Sequence, residues 1–167
     1  MSKHRSSTTH RRKIAIATLA VAAVGVPSAA MASQSAAPAG SPSADQQEVV
    51  DLVNSERSKA GCEPLTVNEK LTKAAQDHSE DMAAHSNMSH TGSDGSSPGD
   101  RIERAGYSWS SYGENVAYGY DSPKSVMEGW MNSSGHKANI LNCDFKEIGV
   151  GLAQPGNYWT QDFGTAR

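Results

Sequence analysis

The chain has 167 residues, which is enough for one folded domain but not for two of ordinary size. It carries 15 basic and 18 acidic residues, and five of the basic but none of the acidic ones lie in the first 32 positions. The remainder therefore has 10 basic against 18 acidic residues, a formal charge of −8, and this balance makes nucleic acid and anionic membranes poor partners.

The first 32 residues have the features of an export signal. A basic start precedes an uncharged apolar run from Ile14 to Val26, and Ala30-Met31-Ala32 forms an A-x-A cleavage site before Ser33. The run is shorter than the ~20 residues that span a bilayer, which favours cleavage over the alternative of an uncleaved anchor. Arg11-Arg12 keeps twin-arginine export open beside the general secretory route. We predict a secreted, extracellular protein with no transmembrane segment in its mature chain.

Residues 33–45 are mainly Ser, Ala, Pro and Gly, and we predict a flexible linker because they offer almost no apolar surface to bury. Residues 46–167 show regular hydrophobic periodicity and are assigned to the folded domain. Cys62 and Cys143 are the two cysteines of the chain. An even number in an exported protein predicts one disulfide, with two separate buried thiols as the alternative.

Helices are predicted before strands. A first helix ends near Gly61, a second begins at the N-cap Asn68, and two short ones begin at Ser97-Pro98 and Ser122-Pro123. Alternating patterns predict strands around 112–118, 148–152 and 159–163. Gly149 and Gly151 lie on one face of the second of these strands, which predicts close approach by a packed neighbour. This order indicates an α+β fold, for which we expect a three-layer α-β-α sandwich with a central antiparallel sheet.

The pattern alone leaves the candidate chemical residues ambiguous. Glu114 shares a strand face with apolar residues, which indicates either a buried, partnered carboxylate or an edge strand open to water. Glu128 lies at the border of an apolar helix stripe, where an exposed Glu is ordinary. His90 and His136 follow helices in turn-rich segments, and His78 is interpreted as structural.

Several segments in order resemble signatures of the CAP superfamily of cysteine-rich secretory, antigen 5 and pathogenesis-related proteins, also called SCP-like domains. They are Val53-Asn54-Ser55-Glu56-Arg57, Met88-Ser89-His90, Gly113-Glu114-Asn115-Val116-Ala117, Gly135-His136-Lys137-Ala138-Asn139-Ile140-Leu141 and Ile148-Gly149-Val150-Gly151. The likeness extends from about Gln47 to Phe163 and is to the compact bacterial type.

The resemblance implies an α-β-α sandwich with a cleft lined by His90, Glu114, Glu128 and His136. It implies that His90 and His136 bind a divalent metal, for which Zn²⁺ suits imidazole best, while Glu114 and Glu128 orient the imidazoles or a water. The alternative is a metal-free hydrogen-bond network of the same residues. No other cofactor is expected.

Three functions are consistent with these features. The resemblance favours a secreted binding module for a lipid, sterol, glycan or protein. A metal-assisted or acid–base hydrolase using the same tetrad is the main alternative, and a structural cell-envelope protein is the third. The chain has no H-E-x-x-H or G-x-S-x-G motif, which favours binding over catalysis.

The export signal makes a direct prediction: cleavage occurs between Ala32 and Ser33, because the A-x-A motif ends at Ala32. N-terminal sequencing of secreted protein should begin at Ser33. Secreted material that retains Met1 would contradict the prediction.

Overall fold

A computed structural model describes residues 42–167. The predicted signal peptide, residues 1–32, and most of the predicted linker lie outside the described residues. The elements are α1 (Ala44–Lys59), β1 (Thr66–Val67), α2 (Glu69–His85), α3 (Pro98–Arg104), β2 (Trp109–Tyr118), α4 (Pro123–Met131), α5 (Ser134–Ile140), β3 (Glu147–Ala153) and β4 (Tyr158–Ala166). Helix α1 begins slightly before the predicted domain boundary at 46, because Ser43 and Gln46 form a reciprocal capping box.

The strand order is β1-β3-β4-β2, and β4 is antiparallel to both of its neighbours. The predicted α+β class is confirmed, but the prediction of a wholly antiparallel sheet is wrong, because β1 runs parallel to β3. Strand β1 contains only Thr66 and Val67, which is too short for an alternating pattern to reveal it. The chain between β1 and β3 contains the helices α2 to α5 and strand β2, so a long crossover connection joins the parallel pair.

Helix α2 packs unusually close to the sheet because β3 presents glycines to it. A Cβ on Gly149 would lie 2.1 Å from the backbone of Leu71, and one on Gly151 would lie 2.2 Å from the carbonyl oxygen of Ala75. The predicted close approach at these glycines is therefore confirmed. It brings α2, and the loop that follows it, directly over β3 and β4.

The opposite face of the sheet is covered by α1, α4 and α5. The residues that fill this layer are large and fully buried; they include Val49, Val53, Val126, Trp130, Ile148 and Phe163. The two layers of helices thus enclose the sheet, and the strand residues alternate between them.

The end of α1 is fixed to the segment before β3. The Arg57 side chain is fully buried and donates hydrogen bonds to the carbonyl oxygens of Glu63, Ile140, Asn142 and Phe145. The predicted disulfide between Cys62 and Cys143 is confirmed beside it. The bond joins residues 81 positions apart, and closing such a loop contributes about 4–5 kcal/mol in the chain-entropy model.

Gly149→Ala should destabilise the domain by about 3 kcal/mol or more, because its Cβ would overlap helix backbone that has no room to move. The matched control is Gly135→Ala, since a Cβ at Gly135 meets nothing within 4 Å. Urea unfolding of both variants measures the difference. Equal stability of the two would show that α2 does not need this contact.

Candidate functional site

The carboxylate of Glu114 is buried and occupied on both oxygens. Its side chain is 2% exposed. His90 Nδ1 lies 2.7 Å from Oε1, and Arg101 Nη2 donates to Oε2 at 2.6 Å. Of the two alternatives that the pattern left open, the structure therefore has the buried, partnered carboxylate.

His90 forms the exposed side of this pair. Its side chain is 53% exposed, and the hydrogen bond that its ring donates to Glu114 raises the pKa of the imidazole against the opposing effect of partial burial. Because Glu114 holds Nδ1, the ring has one orientation, with Nε2 free of hydrogen bonds to other described side chains or backbone. The imidazole of His90 is thus held in one orientation at the surface, and its protonated form is favoured.

Arg101 is a member of this site that the sequence did not indicate. It lies on α3, is 8% exposed, and also donates from Nη1 to the carbonyl oxygen of Ser96 at 2.9 Å. A helix of seven residues is too short for an apolar stripe to reveal which side chains point inward. Arg101 connects the loop before α3 to strand β2 through the Glu114 carboxylate.

Asp162 is the second residue that the sequence missed. It lies opposite Glu114 in the β2–β4 register and is completely buried. Neither of its oxygens has a conventional hydrogen-bond partner among residues 42–167. Burial, and then the charge of Glu114, raises the pKa of Asp162 well above its ordinary value. Protonation of Asp162 would remove the repulsion between two adjacent buried carboxylates.

His78, interpreted as structural from the sequence, fixes the loop that carries His90. Its Nε2 lies 2.8 Å from the carbonyl oxygen of Ser89, and because a carbonyl only accepts, Nε2 holds the proton. Burial lowers the pKa of His78, so the ring is neutral. The side chain is 1% exposed, so it anchors the Ser89–His90 segment from the interior of the protein.

His136 is held near His90 by amide side chains. Asn115 donates from Nδ2 to the carbonyl oxygen of His136, and Asn139 donates to both the carbonyl oxygen of Glu114 and Oδ1 of Asn115. These amides lie in the same motifs as Glu114 and His136. Burial, and then the charge of His90, lowers the pKa of His136, opposite to the shift of His90. We call His90, Arg101, Glu114, His136 and Asp162 the His–Glu site.

Glu128 lies elsewhere. It is exposed and lines a groove of about 250 Å³ between α1 and α4, together with Leu52, Glu56, Lys124, Met127 and Met131. It makes no hydrogen bond to His90, Glu114 or His136. Glu128 lines this groove because it lies, like Met127, on the side of α4 that faces α1.

The donor set of the His–Glu site fits a resident metal ion poorly. Both oxygens of Glu114 are engaged, Arg101 brings a cation to the same carboxylate, and Glu128 lies in the other groove. In the part of the chain that the structure describes, no group of three or more His, Cys, Asp or Glu side chains is arranged to hold a metal ion. Two imidazoles, His90 and His136, are the remaining donors of the site.

Residues 50–163 match the family model of the cysteine-rich secretory proteins, CAP. The uncharacterized protein YkwD of Bacillus subtilis is 43% identical over 121 residues, which are 72% of this chain and 47% of that protein. The uncharacterized membrane protein YlbC of the same organism is 36% identical, over 71% of this chain and 34% of its own length. The chain thus spans less than half of these relatives.

A solved structure agrees with the fold. An extracellular protein of Bacillus anthracis containing an SCP domain superposes with a TM-score of 0.69 at 32% identity, over 72% of this chain and 40% of that one.

The carboxyl pair predicts a pH dependence of stability. A raised folded-state pKa of Asp162 means that the unfolded chain loses this proton first, so stability falls as pH rises above about 4, by up to ~1.4 kcal/mol per pH unit. Asp162→Asn removes this pH-dependent contribution to stability while keeping a hydrogen-bond donor. The variant should therefore gain stability over the wild type progressively from pH 4.5 to 7.5 in urea unfolding.

The matched control is Asp144→Asn, an exposed aspartate outside the site. It should follow the wild-type pH profile. A constant difference between Asp162→Asn and wild type across this range would mean that Asp162 is ionised in the folded protein.

Proposed function

This chain belongs to the cysteine-rich secretory protein (CAP) family, and we propose that it is an exported domain that binds an extracellular ligand through the His–Glu site. The export signal in the sequence and the extracellular SCP-domain protein of Bacillus anthracis support the location. Among residues 42–167, no helix has the length and apolar character needed to cross a membrane.

The observation that carries the proposal is the double engagement of Glu114. A carboxylate whose two oxygens are bound by His90 and Arg101 is not free to act as a base or a nucleophile. It instead orients His90 and favours the protonated imidazole, in which Nε2–H is a donor held at a half-exposed position. Preorganised donors of this kind lose little entropy when a ligand binds.

His136 supplies the complementary group. Its lowered pKa keeps the imidazole neutral, so one ring nitrogen is available as an acceptor beside the cationic His90. The two rings thus present a donor and an acceptor from different elements, a loop and α5. This arrangement suits a polar ligand group that both accepts and donates a hydrogen bond.

Hydrolysis is the second candidate, because a carboxylate that orients a histidine is also the supporting half of a catalytic triad. In that mechanism His90 would take a proton from an attacking water. The raised pKa of His90 works against it, since a histidine that is already protonated is a poor general base near neutral pH. Asp162 and Glu114 are too buried to reach a substrate.

His90→Ala and Glu114→Gln should each reduce ligand retention by about tenfold or more, because the first removes the charged donor and the second its orienting partner. Mass spectrometry of small molecules that co-purify with secreted protein measures retention. His85→Ala is the control, since His85 is an exposed histidine on α2 that also pairs with a carboxylate, Asp81.

Two results would contradict binding through this site. One is equal retention by wild type and His90→Ala. The other is turnover of generic peptide or ester substrates by the wild type that disappears in His90→Ala, which would make the protein a hydrolase.

A further inference from the structure

The loop that carries His90 has little hydrogen bonding at His90 itself. Residues 89–93, which we call the His90 loop, lie between α2 and α3 and belong to no helix or strand. Among residues 42–167, neither the backbone N–H nor the carbonyl oxygen of His90 has a hydrogen-bond partner. The bond to Glu114 orients the imidazole, so the path of the backbone must be set by contacts on either side of His90.

Two side chains of α2 hold the two ends of the His90 loop. At the first end, His78 Nε2 donates to the carbonyl oxygen of Ser89 at 2.8 Å. At the other end, Ser93 donates twice to Asp81, from its backbone N–H to Oδ2 at 2.8 Å and from its hydroxyl group to Oδ1. Both oxygens of one carboxylate therefore bind a single loop residue, and hydrogen bonds to an ionised carboxylate are among the stronger ones in proteins.

The ionised form of Asp81 is the one that these bonds favour. Partial burial alone would raise the pKa of Asp81, but the hydrogen bonds from the side chain and the backbone of Ser93 outweigh it, and the pKa is lowered. The carboxylate is therefore charged near neutral pH and accepts from both donors of Ser93.

Helix α2 gives both anchors a rigid support. His78 and Asp81 are three residues apart, so they lie on the same side of the helix. The helix itself packs against β3, where Gly149 and Gly151 allow backbone contact. Side chains supported by a packed helix can position a functional group more precisely than a loop can by itself.

A second partner of Asp81 does not explain its place in the structure. His85 Nδ1 lies 3.1 Å from Oδ1 of Asp81, but the His85 side chain is 57% exposed, and exposed ion pairs contribute little. The same nitrogen lies 2.9 Å from the carbonyl oxygen of Asp81, within one helix. The contact with His85 therefore stays on α2, whereas the contact with Ser93 reaches the His90 loop.

We propose that Asp81 is a positioning residue of the His–Glu site: by binding Ser93, its carboxylate sets the path of the His90 loop and so places the His90 ring on Glu114. Asp81 makes no hydrogen bond to His90 or to Glu114 in the described chain, so it acts through the loop. Its effect on ligand binding rests on the proposed function, whereas the placement of His90 can be measured without a ligand.

The experiment measures the tautomer of His90 in the secreted protein by NMR of the ring nitrogens, at an alkaline pH where the imidazole is neutral. Glu114 holds the proton on Nδ1, whereas a free neutral histidine carries it mainly on Nε2. Asp81→Ala should lower the ratio of the Nδ1–H to the Nε2–H tautomer by about tenfold, as expected when one hydrogen bond is weakened. Asp81→Asn should restore part of the ratio, since its amide oxygen still accepts from Ser93. Ligand retention should fall in the same order.

Two variants serve as matched controls. Asp77→Ala removes an aspartate one turn earlier on α2, whose partner is the exposed Lys73. His85→Ala removes the other partner of Asp81 and leaves Ser93 in place. Both should keep the tautomer ratio of the wild type. Ser93→Ala keeps the backbone donor and should lower the ratio less than Asp81→Ala does, with no further effect when the two are combined.

The proposal is overturned if Asp81→Ala keeps the tautomer ratio of the wild type while its free energy of unfolding falls, because Asp81 would then only stabilise the fold. It is also overturned if His85→Ala reproduces the change, or if Asp81→Ala changes the tautomer but retains as much ligand as the wild type. A wild type that retains no ligand would contradict the proposed function, whereas a changed tautomer in Asp81→Ala would still support the placement of His90 by Asp81.

Discussion

The structure around the site depends on the need to neutralise one buried carboxylate. Glu114 lies on a strand face covered by α2, where an unpaired charge costs several kcal/mol. Arg101 meets that need from within, and His90 meets it from the surface. The raised pKa of Asp162 disfavours a second negative charge beside Glu114. Helix α3 and the loop that carries His90 are therefore held in place by the same two oxygen atoms. Removing Arg101 would leave the carboxylate without its buried countercharge, so the loop and the site are stabilised together.

A second constraint is the edge of the sheet. Strand β2 is terminal in the described sheet, and its outward carbonyl groups would be open to pairing with another strand. Asn139 donates to the carbonyl oxygen of Glu114, and Trp130 donates to that of Val116. These bonds close the edge and simultaneously dock α4 and α5 against it. Because His136 lies on α5, the hydrogen bonds that cover the edge of the sheet also position the second imidazole of the site.

The sequence predicted the features that have local causes. The N-caps at Asn68, Ser97 and Ser122 all bond as expected, since a cap needs only its own first turn. The disulfide and the glycine contacts followed from residue type and spacing.

The missed features depend on partners distant in sequence. Asp162 shows no signal by itself, because its burial beside Glu114 arises from pairing across 48 positions of chain. Arg101 lies on a helix too short for a periodic pattern, and β1 is too short for alternation. The resemblance pointed to His90, Glu114 and His136 but also to Glu128, and only the orientation of α4 shows that this residue lines another groove.

The charge that remains at the surface of the His–Glu site limits the ligands that the proposed function would allow. Glu114 offsets Arg101, and the pKa shifts of Asp162 and His136 both disfavour the charged forms of those groups, so His90 is the exposed group of the site whose charged form is favoured. Residues 33–167 together carry a formal charge of −8. A polyanion is attracted by one imidazolium but repelled by the surrounding surface, and the repulsion acts over a Debye length of about 8 Å at physiological salt. A small ligand with a single acceptor group avoids that repulsion, because its contact with His90 is complete within hydrogen-bond distance. The site is therefore suited to a compact, polar group rather than to a highly charged polymer.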